Sequence, residues 1–257
     1  MNMTPDSFSD GGRYLEPAAA LWQARELFDA GAGVVDIGAE STNPKKSEKP
    51  LSASEELARL LPVVQELAPA FPGRISIDSY HPETIEALAQ QFGGVFIAND
   101  VTGMNNPAMR SVVANHHLRC FVSHLPARFG TDVQAAHQGG KLDDAATVRA
   151  ELLVRRGQLM DAGLAPENIV LDPGIGFGKT MRLNWELLEF AKLVPGIPVM
   201  IGYSRKRFLA TDPNTGNPAP GIDRYSAGAN LQAGTIAAAA GASYLRVHDV
   251  AAHKPLL

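Results

Sequence analysis

Ile169-Val170-Leu171-Asp172-Pro173-Gly174-Ile175-Gly176-Phe177-Gly178-Lys179-Thr180 joins an apolar lead-in to one carboxylate and a glycine-rich turn that closes on a lysine. Chains adopt this order where a buried strand ends in a pocket and the backbone must pass close to a ligand. A nucleotide P-loop would need a glycine five residues before the one that precedes Lys179-Thr180, and that position holds Pro173. A frame started at Gly174 leaves the loop one residue short. The run is a strand-end aspartate beside a permissive loop, and its meaning rests on whether the chain repeats the design.

It does. Val34-Val35-Asp36-Ile37-Gly38, Ile75-Ser76-Ile77-Asp78 and Val95-Phe96-Ile97-Ala98-Asn99-Asp100 are short apolar runs ending on acids or amides. Arg119-Cys120-Phe121-Val122-Ser123-His124, Val199-Met200-Ile201-Gly202 and Tyr244-Leu245-Arg246-Val247-His248 follow. Runs of this kind suit a parallel sheet buried on both faces. Helical patterns separate them, over residues 18–30, 54–68, 82–91, 107–115, 144–162, 183–193 and 228–240. Ser52 or Ser54 is available to cap the second. Strand–helix alternation over 257 residues predicts an α/β fold, an eight-stranded (β/α) barrel forming one domain over residues 1–257. Seven units are countable. The missing strand is the first, so Met1-Asn2 is read as the stub of a truncated strand or the remainder of a segment lying upstream. Residues 251–257 leave little room for a final helix.

Composition sets limits. Lys and Arg total 23 against 27 Asp and Glu, a net charge of −4, so no basic excess points to nucleic acid. The single cysteine, Cys120, lies in an apolar strand and reads as a core residue. There is no membrane-length apolar stretch and no secretory leader, which predicts a cytoplasmic protein. No His or Cys pair has zinc-ligand spacing. His116 and His117 are expected to face solvent, and residues 45–50 and 211–222 to be exposed, mobile loops.

In a barrel, functional groups gather where strands end. That set is Asn2, Asp36, Asp78, Asn99, Asp172, Arg246 and His248, joined by Lys206 in Ser204-Arg205-Lys206-Arg207. Any single strand-end acid can simply tie down its own loop. Converging carboxylates and carboxamides suit a flat heterocycle rich in N–H donors, while Arg246, His248 and Lys206 suit a phosphate or another anion.

The ordered set resembles the dihydropteroate synthase family. Thr4-Pro5-Asp6-Ser7-Phe8-Ser9-Asp10-Gly11-Gly12 is similar to its first-loop signature. Asp36-Ile37-Gly38-Ala39-Glu40-Ser41-Thr42, Asp78-Ser79, Asn99-Asp100, the Asp172–Lys179 run, Ser204-Arg205-Lys206 and Arg246-Val247-His248-Asp249-Val250 follow in the family's order. The resemblance implies condensation of 6-hydroxymethyl-7,8-dihydropterin pyrophosphate with 4-aminobenzoate, giving 7,8-dihydropteroate and pyrophosphate. It assigns Asp78, Asn99, Asp172 and Lys206 to the pterin, and Asn2, Thr42, Arg246 and His248 to the pyrophosphate. Mg²⁺ is implied as cofactor, with Asn2 as its ligand. Thr42, Pro44, Lys206 and Arg207 fall to the aminobenzoate, and Phe8 and Asp10 join Asp172 and Lys206 in catalysis. Small-molecule substrates, no nucleic acid or membrane, and a homodimer complete the expectation.

Three positions depart from the family pattern. Asn43 replaces an arginine and is followed by Lys45-Lys46, Arg207 replaces a serine, and Leu125-Pro126-Ala127-Arg128 replaces a methionine-containing turn. The first two lie on the aminobenzoate side, so Arg207 or Lys45 is expected to take over carboxylate recognition and to alter the sulfonamide response. Two other functions share the pterin-facing groups: a corrinoid methyltransferase using methyl-tetrahydrofolate, and a pterin-binding paralogue without turnover.

Overall fold

The computed structural model describes residues 17–39 and 50–256. The expectations on Asn2, Phe8, Asp10, Thr42, Asn43, Pro44, Lys45, Lys46 and the first strand lie outside them. Among the described residues seven strands run parallel: β1 (Val35–Gly38), β2 (Ile75–Asp78), β3 (Ile97–Asp100), β4 (Arg119–Ser123), β5 (Ile169–Asp172), β6 (Met200–Gly202) and β7 (Tyr244–Arg246). Strands β1 to β5 pair in sequence order, a Leu171–Val199 bridge carries the sheet to β6, and β6 pairs with β7. This is the predicted α/β barrel.

The helices are α1 (Pro17–Asp29), α2 (Ala53–Ala70), α3 (Pro82–Phe92), α4 (Pro107–Asn115), α5 (Val133–Gln138), α6 (Ala145–Asp161), α7 (Met181–Glu186), α8 (Ala227–Ala239) and α9 (Val250–His253). Residue chemistry explains their ends. Ser52 and Glu55 form a capping box at α2, Asp144 caps α6, and Pro opens α3 and α4 where its missing N–H costs nothing.

Period-2 alternation sorts the strand residues into faces. One set, including Ile37, Ile75, Ile77, Cys120, Val122, Leu171 and Ile201, packs into the large core shared with the helices. The other set points into the barrel. Its lower layer is apolar: Ile97, Phe121, Val170 and Met200, packed with Val34 and Tyr244. Two residues further along each strand stand Asp36, Asn99, Ser123, Asp172, Gly202 and Arg246. The barrel is plugged by hydrocarbon below and opens on polar groups above.

Four expectations change. The helix foreseen over 183–193 is α7 followed by a tighter 3₁₀ stretch, Leu187–Leu193, with a kink at Glu189. Leu187, Leu188 and Phe190 are all buried there, more than one face of a regular helix presents. The 211–222 segment is tied rather than loose: Thr211 is buried, bridges to Pro218 and accepts from Trp185 Nε1, and Asp212 accepts from the amides of Asn214 and Thr215. His116 pairs with Glu86 at 3.1 Å instead of facing solvent alone. Helix α5, capped by Asp132, was not foreseen. The Ser52→Ala variant, which removes the hydroxyl half of the capping box and leaves the backbone N–H of residue 52 donating to Glu55, is expected to lose about 1 kcal/mol in urea unfolding.

Candidate functional site

The polar layer is held together by Arg246. Its guanidinium reaches Asp36 at 3.5 Å and Asp172 at 3.8 Å, joining the first strand, the fifth and the last. Burial works against that charge, and the carboxylates of Asp36, Asp172 and Asp78 more than offset it, so its pKa rises. Gly202 makes room: a Cβ there would sit 3.1 Å from Arg246 Nε. Asn99 is buried and its Nδ2 donates to both oxygens of Asp36, at 3.1 and 3.2 Å. Its Oδ1 is buried with no partner among the described residues. A buried acceptor left in that state calls for a donor from outside the chain. Asp78 stands beside this pair; burial, then the nearby Asp36 charge, pushes its carboxyl up to about 7.

Asp172 serves two masters. One oxygen accepts from the Gly174 amide at 2.8 Å and the other from Ser123 Oγ at 3.1 Å, so the residue ties down its own turn while facing Arg246. Gly174 has φ +62° and lies so close to β4 that a Cβ would fall 2.2 Å from the His124 carbonyl oxygen. Lys179 organises the loop from within. It is buried, and its Nζ donates to the carbonyls of His124 (3.2 Å), Gly174 (2.9 Å) and Phe177 (2.9 Å). Burial brings its pKa down to about 7. Behind the loop His124 contacts Glu151 at 3.1 Å, and burial lowers the imidazole to about 4.

The loop presents Phe177 to the next strand. Lys206 Nζ lies 5.3 Å from the Phe177 ring centre and donates to the Ile175 carbonyl. Burial, then the Arg246 charge, lowers Lys206 to about 7. Phe177 also joins Val101, Leu125 and Ala136, with Tyr80, Phe129 and Val133, in a small apolar cluster contributed by four loops. Arg207 is exposed and begins a 3₁₀ turn, Arg207–Ala210. Its charge and that of Arg128 reach Lys141, whose pKa falls through burial first and these two cations next.

His248 stands past the end of β7, with Nδ1 3.0 Å from Ser204 Oγ in a partly buried contact. Of the expected residues the structure thus gathers Asp78, Asn99, Asp172, Lys206, Arg246 and His248 at one barrel mouth, with Arg207 at its rim. Asp36 was gathered with the strand ends but given no role, and it proves to be the shared partner of Asn99 and Arg246. Asp100, next to Asn99, is spent inside its own turn on the Thr102 amide and hydroxyl and the Met104 amide. Among the described residues no three His, Cys, Asp or Glu side chains converge on a possible metal position, and no helix is long and apolar enough to cross a membrane. The arrangement can accept several N–H donors in a plane and hold an anion beside them.

A family model described as pterin binding enzyme matches residues 1–248. The chain is 39% identical over 257 residues to the dihydropteroate synthase of Mycobacterium leprae, covering 98% of this chain and 87% of that protein. It is similar to the dihydropteroate synthase of Thermus thermophilus in complex with 4-aminobenzoate, with TM-score 0.78 and 34% identity over 99% of this chain and 89% of that one. It is also similar to the Xanthomonas albilineans enzyme in complex with 7,8-dihydropteroate, with TM-score 0.77 and 32% identity over 99% and 88%.

Lys179→Met strands three buried carbonyls and is expected to cost about 3 kcal/mol in chemical unfolding. Asp78 binds its proton more tightly in the fold than in the unfolded chain, whose value is near 3.8. Its contribution to stability is therefore full below that value and is lost as pH rises through about 7. Comparing unfolding midpoints across this range in the wild type and Asp78→Asn should show the slope flattened in the variant.

Proposed function

The chain belongs to the pterin-binding enzyme family, and we propose that it works as a dihydropteroate synthase, joining 6-hydroxymethyl-7,8-dihydropterin pyrophosphate to 4-aminobenzoate. The observation that carries the reading is the buried Asn99 Oδ1 with no described partner, flanked by the strand-end carboxylates of Asp78 and Asp172. A pterin edge offers N–H donors in one plane, and these three acceptors suit it. Lys206 and Phe177 bound the ring's exit toward the second substrate.

The chemistry follows from the charges. The amine nitrogen of 4-aminobenzoate attacks the pterin methylene, the C–O bond to pyrophosphate breaks, and the amine gives up a proton. Positive charge grows on the methylene and spreads into the ring, where the Asp172 carboxylate stabilises it. Negative charge grows on the pyrophosphate, where the Arg246 guanidinium meets it and His248 stands beside it. An arylamine is already a nucleophile, so no Ser or Cys need be activated. Phe8, Asp10, Thr42 and Pro44, in the family's loop motifs, would shield the cation from water. Mg²⁺ is proposed on family grounds with Asn2 as its protein ligand, since this ion is commonly held by substrate phosphates plus few protein ligands. When bound it would neutralise phosphate charge. Arg207, beside Lys206 and within reach of Lys141, is proposed to recognise the aminobenzoate carboxylate. A homodimer and a cytoplasmic location are proposed on the same family grounds.

Mixing both substrates with Mg²⁺ should release pyrophosphate, and Asp172→Asn or Lys206→Ala should lower kcat/KM by about 10²-fold or more. Pterin binding without release would instead indicate a paralogue lacking turnover, and methyl transfer from methyl-tetrahydrofolate to a corrinoid would indicate a methyltransferase. Arg207→Ser is expected to raise the KM for 4-aminobenzoate about tenfold with the pterin KM unchanged. An unchanged aminobenzoate KM would remove Arg207 from carboxylate recognition.

A further inference from the structure

We propose that Asn230 is a positioning residue which, through Ser204, holds His248 as the Nδ1–H tautomer and leaves Nε2 as an unprotonated acceptor at the barrel mouth. A chain of hydrogen bonds running from Asn230 through Ser204 to His248 fixes where each proton lies. Asn230 lies in the first turn of α8 and is 5% exposed. Its Nδ2 donates to the carbonyls of Arg224 and Ser226, both at 2.8 Å. Two carbonyls can only accept, so this end of the carboxamide is its nitrogen and both N–H groups are used. The oxygen end then accepts from the Arg205 amide at 2.9 Å and from Ser204 Oγ at 3.1 Å.

Ser204 has one hydroxyl proton, and it is spent on Asn230. Toward His248 the serine oxygen offers only lone pairs. It takes the His248 amide at 3.4 Å and faces the ring Nδ1 at 3.0 Å. An unprotonated Nδ1 would set one lone pair against another, so the proton sits on Nδ1. Nε2 has no partner among the described residues. Arg205, Arg246 and Lys206 are the charged described residues around the ring, and burial followed by their repulsion disfavours a second ring proton. His248 is thus a neutral ring whose free nitrogen accepts.

The consequence rests on the reading that His248 serves the pyrophosphate. The two groups on that side then divide the work. Arg246 supplies N–H donors to ionised oxygens, and His248 accepts from a protonated terminal oxygen. Asn230 touches no substrate and acts only through the ring it orients. Its two donors anchor to the end of the long segment between β6 and α8, so the segment's conformation is communicated to the imidazole.

The test is ¹⁵N NMR of histidine-labelled protein, with the His248 signals identified by their loss in His248→Gln. The wild-type ring should show a protonated Nδ1 and an unprotonated Nε2. Asn230→Leu and Ser204→Ala should release the ring toward the Nε2–H tautomer and weaken the binding of inorganic pyrophosphate about tenfold, the scale of other losses in groups that orient a binding residue. Asn230→Asp keeps an acceptor for Ser204 and should retain the Nδ1–H tautomer, which separates tautomer control from general loosening. A wild-type ring protonated on Nε2, or a ring unchanged in both releasing variants, overturns the proposal. If Asn230→Leu does not fold, Ser204→Ala carries the same test. If pyrophosphate does not bind the wild type at all, the functional reading fails, while the tautomer measurement still decides this inference.

Discussion

One guanidinium joins the two ends of the described sheet. Arg246 on the last strand pairs with Asp36 on the first and approaches Asp172 on the fifth, and no backbone ladder joins β7 to β1 among the described residues. Three acids at a barrel mouth, Asp36, Asp78 and Asp172, would repel one another and resist burial without it. With it, Asp36 is free to orient the Asn99 amide, and that orientation leaves an acceptor pointing at whatever enters. Gly202 belongs to the same constraint, since a side chain there would occupy the space the guanidinium needs.

Much of this was legible in the sequence, for a physical reason. A barrel strand alternates between a helix-facing and an interior residue, so a polar group two positions after an interior apolar one stands at the mouth. Asp36, Asn99, Asp172 and Arg246, gathered from the sequence as strand-end groups, obey that rule, and Asp78 stands at its strand end two positions after Ser76. The refusal of a P-loop reading at Pro173 also holds: Lys179 meets carbonyls of its own and a neighbouring loop. What the rule could not see was the use of backbone acceptors. Carbonyl oxygens have no residue signature, so the importance of Lys179 and Asn230 was hidden. The same blindness made residues 211–222 look loose, because Pro, Gly and Asn mark ordered Asx turns as well as mobile loops. Helix α5 escaped because one and a half turns carry no periodicity to read.

The site divides by the kind of element that holds it. Groups facing the proposed pterin stand on strand ends, where pairing on both sides fixes them. Arg207, proposed for the arylamine side, and its cationic neighbours Lys141 and Arg128 stand on short 3₁₀ and loop segments. Two of the three departures from the family pattern were read on that second side. A change of one loop residue there leaves the strand register, and with it Asp78, Asn99 and Asp172, as it was.

The apolar cluster around Phe177 draws residues from the segments after β2, β3, β4 and β5. These four stretches are therefore not independent pieces of rim. They share a single keel, and Lys179 is bolted beneath it. A lineage refining this protein could alter any of the four only within the shape the other three allow. A change in one stretch should therefore be inherited together with answering changes in the others.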